Sequence, residues 1–564
     1  MARPQPDGCP DHRRTAVRPL LTPSAVRRRA RPPLEDFGLG PLFGALDLLE
    51  HENWSLDRVL DRLETSDGVI RERGRPCHPG LVRWTMGALE RYVAQRAAQQ
   101  EAAERAGLPP TFPVRSAWTV RTARRAEPDA RGARQYEHTV WGRRYASADG
   151  HVRELWLPSL GRAKSSRPDA ELAAVAYVLT RGAPGRTTRY GAFPAPEPTP
   201  DTDLPERVRV IDFGCAEGDA RLLLDCDREE AERRFATFAA PAFHEAATGI
   251  GARPGTDCVD CKAIDACTSI RRTPALWGGR PGTQTGRRSL SVSDLRAHDQ
   301  CPAQYHLTRQ LWLTSLQEEG EAIRRGRAVD AWLNDHHGAT RRPVRGCHDL
   351  PGPADPANWT GGDHHLEGAI AREGAGMLDA HRACCPLDGL GADEQVLVQH
   401  RVAVYVPELD VVVLAVPDLL YTRSGGWVWR ETKTSSSELW EGESLLRSYP
   451  QLALAVLLLN AGALGADPRR SWVEFELLHR GEATLERIDP SRPDVVAEAE
   501  GVIAGLAGPL LEDTTFPSLT GRHCHHCDAR PWCGPGTAFV TERPVAQRSE
   551  VAVSTGRDDG GTDA

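Results

Sequence analysis

The sequence predicts a mixed α/β protein made of two tandem copies of one unit, the first copy stripped of the chemistry that the second keeps. Three observations predict this. Asp169 to Gly182 and Tyr449 to Gly462 are both apolar on nearly every face and both stop at glycine, the pattern of a helix buried on all sides. Each is followed by a strand-like run, Val208 to Phe213 in one case and Trp472 to Leu478 in the other, and then by a helical stretch. Each unit closes on a cysteine triplet of the same spacing, Cys258-x2-Cys261-x5-Cys267 and Cys524-x2-Cys527-x5-Cys533. Upstream, Arg73-Gly74-Arg75-Pro76-Cys77-His78 echoes Arg325-Gly326-Arg327-Ala328-Val329-Asp330. The copies are expected at 36–280 and 281–540, with the Gly/Arg/Thr-rich stretch Gly278 to Arg288 as the linker. Residues 1–35, rich in arginine and proline, read as a basic disordered tail, and 541–564 as a polar one.

The chain has 564 residues, enough for several domains or two large ones at roughly 150 residues per domain. With 40% hydrophobic and 26% charged residues it is of ordinary globular composition, which excludes wholesale disorder. No apolar run approaches the ~20 residues that span a bilayer, and no apolar segment follows the N-terminal charges, so a cytoplasmic protein with no membrane partner is expected. A net charge of −8 gives no global attraction to nucleic acid, so any such contact must be local. Of the 70 basic residues only three are lysines, Lys164, Lys262 and Lys433. Arginine cannot release its proton and lysine can, so a lysine kept in such a chain marks candidate chemistry. The matched CxxC units among the 14 cysteines favour metal or cluster ligation over disulfides in a cytosolic protein.

The second copy carries that chemistry on strands. Gln395 to Val406 and Leu409 to Val416 are valine-rich runs parted by the turn Pro407-Glu408. A further run holds Asp418 and ends at Ser424-Gly425-Gly426, a hairpin turn, after which comes Trp427-Val428-Trp429-Arg430-Glu431-Thr432-Lys433. Glu431 and Lys433, two apart on a strand, share a face. A tight turn centred on Ser424-Gly425 sets Asp418 opposite Glu431, with Cβ atoms ~5 Å apart, where two like charges repel unless something lies between them. A divalent cation is the natural candidate, and carboxylate oxygens suit Mg²⁺ or Mn²⁺.

Asp418, Glu431 and Lys433 together resemble the PD-(D/E)XK nuclease superfamily. Ser291 to Tyr305, with Cys301-Pro302, looks like the opening segment of its RecB-like members, and Tyr449-Pro450-Gln451 like their glutamine helix. Cys524, Cys527 and Cys533 with the distant Cys301 are similar to the AddB-type and CRISPR-adaptation subgroup, which closes this domain with a 4Fe-4S cluster. The resemblance covers about 281–540 and implies a restriction-endonuclease-like core, a mixed central sheet flanked by helices. It implies that Asp418 and Glu431 hold Mg²⁺ or Mn²⁺ with the Thr432 carbonyl, and that Lys433 positions the attacking water and stabilises charge at the phosphate. Gln451 would orient metal-site groups or contact the DNA backbone. Where the family often has a metal-binding histidine, this chain has Asp330, which can also bind Mg²⁺ or Mn²⁺. The implied activity is a metal-dependent deoxyribonuclease, exonuclease or endonuclease, acting on single-stranded or end-containing DNA beside a helicase or repair partner. Four thiolates suit Zn²⁺ as well as iron–sulfur by spacing, and His523, His525 and His526 beside the triplet keep mixed zinc ligation open.

In the first copy the equivalent hairpin, turning at Asp149-Gly150, has Trp141-Gly142-Arg143 near the Pro-Asp position and Leu155-Trp156-Leu157 in place of Glu-x-Lys. No acidic pair faces a lysine there, and His78 reads as structural. Cys258, Cys261 and Cys267 form a second cysteine site, with Cys9, Cys77, Cys215 and Cys226 as candidates for the fourth partner. The alternative to an enzyme is a nucleic-acid-binding or scaffold protein in which both copies are inactive and the cysteines structural.

Overall fold

The computed structural model describes residues 8–16, 32–70, 74–124, 134–185, 204–278, 286–313, 320–338, 346–348, 351–435, 442, 444–479 and 481–542. The expected tail 541–564 lies outside these residues from 543 on, and the expected linker lies outside them at 279–285.

The fold is mixed α/β, with sheets flanked by helices, consistent with a restriction-endonuclease-like fold. Two five-stranded sheets dominate. In the first the spatial order is Thr111–Pro113, Arg143–Ser147, Val152–Ser159, Arg207–Gly214, Ala220–Asp227. In the second it is Val396–Val398, Leu419–Arg423, Gly426–Thr434, Trp472–His479, Glu482–Ile488. Both sheets run antiparallel, antiparallel, parallel, antiparallel across their four pairings. A parallel pair needs a crossover, and the apolar helices Asp169–Arg181 and Pro450–Asn460 provide it. Pro450–Asn460 has nine buried residues among eleven because it packs both on its sheet and on the helix Pro493–Glu512.

The valine run Gln395 to Val406 is not one strand. Gln399 takes φ 48°, the left-handed region, and the chain turns out of the main sheet there. Val402–Val406 and Val411–Ala415 form a separate four-stranded sheet with Arg288–Leu290 and Arg271–Arg272, so strands from both halves of the chain share it.

The halves also interlock. Cys258, Cys261, Ile264 and Ile270 pack on Tyr405 and Val412 of the second half. Reciprocally, Cys527, Ala529 and Trp532 join the core formed by Gly40–His51 and Pro79–Arg105 of the first half. The expectation of an unstructured segment 1–35 fails at residues 8–16. Pro10, whose fixed φ suits the first helical turn, opens the helix Pro10–Ala16. That helix is tied down by Asp11 N–H to the Gly251 carbonyl (3.1 Å) and Cys9 N–H to Asp257 Oδ2 (2.7 Å). No helix among the described residues is long and apolar enough to cross a membrane.

Candidate active site and cysteine centres

The hairpin that carries Asp418, Glu431 and Lys433 turns on Ser424 (φ 53°) and Gly425 (φ 78°), the paired positive φ values of a two-residue type I′ turn. Its ladder runs from Arg423 opposite Gly426 to Leu419 opposite Arg430, so the next pair is Asp418 and Glu431. Asp418, one residue beyond the strand, accepts the Thr432 N–H on Oδ2 (2.8 Å). Lys433 Nζ lies 3.3 Å from Asp418 Oδ2 and 3.4 Å from Glu431 Oε2, and donates to the Thr432 carbonyl (3.1 Å). The other Glu431 oxygen accepts from Trp429 Nε1 (3.0 Å).

The charges act on one another. Burial and then the Asp418 charge push buried Glu431 up to about 7. Burial pulls Lys433 the other way, but Asp418 and Glu431 outweigh it and hold the ammonium above its usual range. Asp330, on the helix Glu321–His337, is pushed up to about 6 by surrounding protein and then by Asp418. It is brought to the pair by Gln399, whose Nε2 lies 3.2 Å from Asp418 Oδ1 and 3.4 Å from Asp330 Oδ1. Gln399 was not among the residues singled out from the sequence, because it reaches the site only by leaving the strand at positive φ. Gln451 sits half-buried in the first turn behind Pro450, and no hydrogen bond joins it to Asp418, Glu431 or Lys433 among the described residues. Glu394 accepts the Ser424 N–H (2.9 Å), which buttresses the turn.

Beneath the hairpin lies a charged network. The side chain of Thr432 faces away from Lys433 and donates to Glu476 Oε2 (2.9 Å). Arg430, essentially fully buried, meets Glu474 and Glu476 at 3.0 Å, and Tyr421 donates to Glu474 (2.9 Å). Glu474 and Glu476 alternate with apolar residues in a buried strand. Charges in such a place need partners, and Arg430 supplies them.

Cys301, Cys524, Cys527 and Cys533 line one small pocket. Leu519 N–H points at Cys301 Sγ and Gly536 N–H at Cys533 Sγ, each at 3.4 Å. Cys258, Cys261 and Cys267 share a second pocket with Cys9; of the four candidate partners for this triplet, the structure brings Cys9. The two centres repeat each other in detail. Cys9-Pro10 and Cys301-Pro302 each open a helix. The residue five before each triplet, Arg253 or Leu519, aims its N–H at the sulfur of that Cys-Pro at 3.4 Å.

In the first half, Arg144 stands across from Leu155, where the second half has Asp418 across from Glu431. The neighbouring Arg143, across from Trp156, has its guanidinium held by Asp47 (2.7 Å) and Glu50. His78 is structural, with Nδ1 accepting from Gly80 N and Nε2 3.0 Å from the Phe516 carbonyl. The buried Asp212 is consumed by Arg167 (2.7 Å), Ser159 and the Lys164 N–H.

No curated protein matches the chain. Residues 289–534, the span that holds the hairpin with Asp418, Glu431 and Lys433 together with the C-terminal cysteine triplet, match the family model of the PD-(D/E)XK nuclease superfamily.

Proposed function

We propose that the second half is a divalent-metal-dependent deoxyribonuclease of RecB-like type. The observation that carries this is the convergence of Asp418, Glu431 and Lys433 within 3.4 Å of one ammonium nitrogen at the end of a hairpin. Asp330, Asp418, Glu431 and the Thr432 carbonyl are an all-oxygen donor set and fit Mg²⁺ or Mn²⁺. When bound, that cation would polarise the scissile phosphate and acidify a water. Lys433 stays protonated between the carboxylates and stabilises the negative charge that grows on a phosphate oxygen. Gln399 holds Asp330 and Asp418 to a common centre. Gln451 contacts the DNA backbone.

We read Cys301, Cys524, Cys527 and Cys533 as ligands of a 4Fe-4S cluster stapling the two ends of the domain. The backbone N–H groups aimed at the sulfurs support this reading, since such hydrogen bonds are among the features that tune clusters. Cys9 with Cys258, Cys261 and Cys267 is its counterpart in a duplicated, catalytically silent first half that binds DNA or braces the active one.

The test is cleavage of labelled single- and double-stranded DNA in Mg²⁺ or Mn²⁺, wild type beside Lys433→Ala, both purified without oxygen. Metal-dependent cleavage lost in the variant supports the reading. Equal cleavage by both moves the activity elsewhere, and no cleavage by a folded, metal-loaded protein favours the binding scaffold.

A further inference from the structure

Behind the catalytic hairpin, on the far side of Glu476, four side chains that no nuclease role requires meet in a closed space: His337, Cys347, His381 and Cys385, all buried. One ligand atom of each lies within 4.8 Å of all the others. His337 Nε2 is 3.2 Å from His381 Nε2, 3.2 Å from Cys347 Sγ and 3.7 Å from Cys385 Sγ. A tetrahedral ion with metal–nitrogen bonds of ~2.0–2.1 Å and metal–sulfur bonds of ~2.3 Å spaces its ligands by about 3.3–3.8 Å along the edges. We propose that these four residues are a structural zinc site.

The surroundings fit that ion. His381 Nδ1 lies 2.8 Å from Glu476 Oε1, an acceptor that keeps the proton on Nδ1 and turns the Nε2 lone pair toward the other three ligands. A carboxylate behind a ligating histidine is the usual device for setting its tautomer. Two thiolates neutralise a divalent charge, so the complete site is electrically balanced in a buried place, while Glu476 has Arg430 as its own counter-ion. Two sulfurs and two imidazoles in a tetrahedron are a zinc donor set, and the close spacing admits a single ion. The ligands come from the end of the helix Glu321–His337, the connection at Cys347, the end of the helix Gly368–Arg382, and Cys385 just beyond it. Zinc would therefore lock together the helix that bears Asp330 and, through His381, Glu476 and Thr432, the strand that bears Glu431 and Lys433.

Zinc and iron per chain, measured by elemental analysis on the full-length protein, test the site. Cys385→Ser is expected to hold one zinc fewer per chain than the wild type at unchanged iron, and Lys433→Ala to match the wild type. Equal zinc in Cys385→Ser and wild type, or no zinc in the wild type, overturns the proposal. Should Cys385→Ser not fold, zinc-edge X-ray absorption of the wild type decides: a shell containing both sulfur and imidazole nitrogen supports the site, and an all-sulfur shell overturns it. The readout is metal content, so it stands apart from whether the protein cuts DNA.

Discussion

The hairpins Arg143–Ser159 and Leu419–Thr434 occupy the same place in sheets of the same strand order and sense, and they have been put to opposite electrostatic use. In the second, Asp418 and Glu431 face each other with Lys433 beside them, and burial, with the Asp418 charge adding to it, raises the carboxyl pKa values of Glu431 and Asp330. In the first, the position of Asp418 belongs to Arg144, and that of Glu431 to the buried Leu155, which packs with Leu157 in the core of the crossover helix Asp169–Arg181. The first is filled with apolar side chains, Leu155 and Leu157; the second is polar. A shared backbone plan thus says little about chemistry, because the side chains at two register positions decide whether the place is charged or apolar.

The largest effect expected is on the second hairpin. Lys433→Ala or Asp418→Asn should lower single-turnover DNA cleavage by about 10²–10³-fold or more, the range seen when one stabiliser of transition-state charge is removed. A rate unchanged by either would break the distinction between the hairpins. Arg143→Met should leave cleavage unaltered while costing about 3–5 kcal/mol of stability in denaturant melts, because Asp47 and Glu50 lose their partner. A fall in cleavage without a fall in stability would give the first half a catalytic part.

The contact between the halves supplies a pH test. His306, stacked on Phe516 and facing His78, is pushed down to about 4 by burial, with His78 adding to the effect and Gln310, Asp513 and Asp36 opposing it. A histidine kept neutral in the fold lends stability at high pH that is lost as pH falls from the unfolded value near 6.5 toward 4. Stability should therefore drop across that window by ~3 kcal/mol at most. His306→Gln should flatten the drop in chemical denaturation followed at several pH values. The smallest effect is reserved for Gln399→Ala, which removes the link between Asp330 and Asp418. A hydrogen-bonding contribution of about 0.5–1.5 kcal/mol corresponds to a rate loss of up to roughly tenfold, read in the same cleavage assay.

Much of the candidate site was legible in the residue order, and for a local reason. Ser424-Gly425 sets the turn, the turn sets the register, and the register brings Asp418 to Glu431 within a stretch of fourteen residues. The period of two puts Lys433 on the face of Glu431 without any help from the rest of the fold. The repeated spacing of the two cysteine triplets is equally local. Tertiary structure alone decided everything that spans the chain: Cys9 and not Cys77, Cys215 or Cys226 beside the first triplet, Gln399 between Asp330 and Asp418, and the gathering of His337, Cys347, His381 and Cys385. It also decided that each cysteine segment packs against the opposite half. Turn and strand rules act over a few bonds and can be read along a sequence. Which distant segments meet depends on the packing of whole helices and sheets, where the burial of many apolar side chains at once selects one arrangement among many.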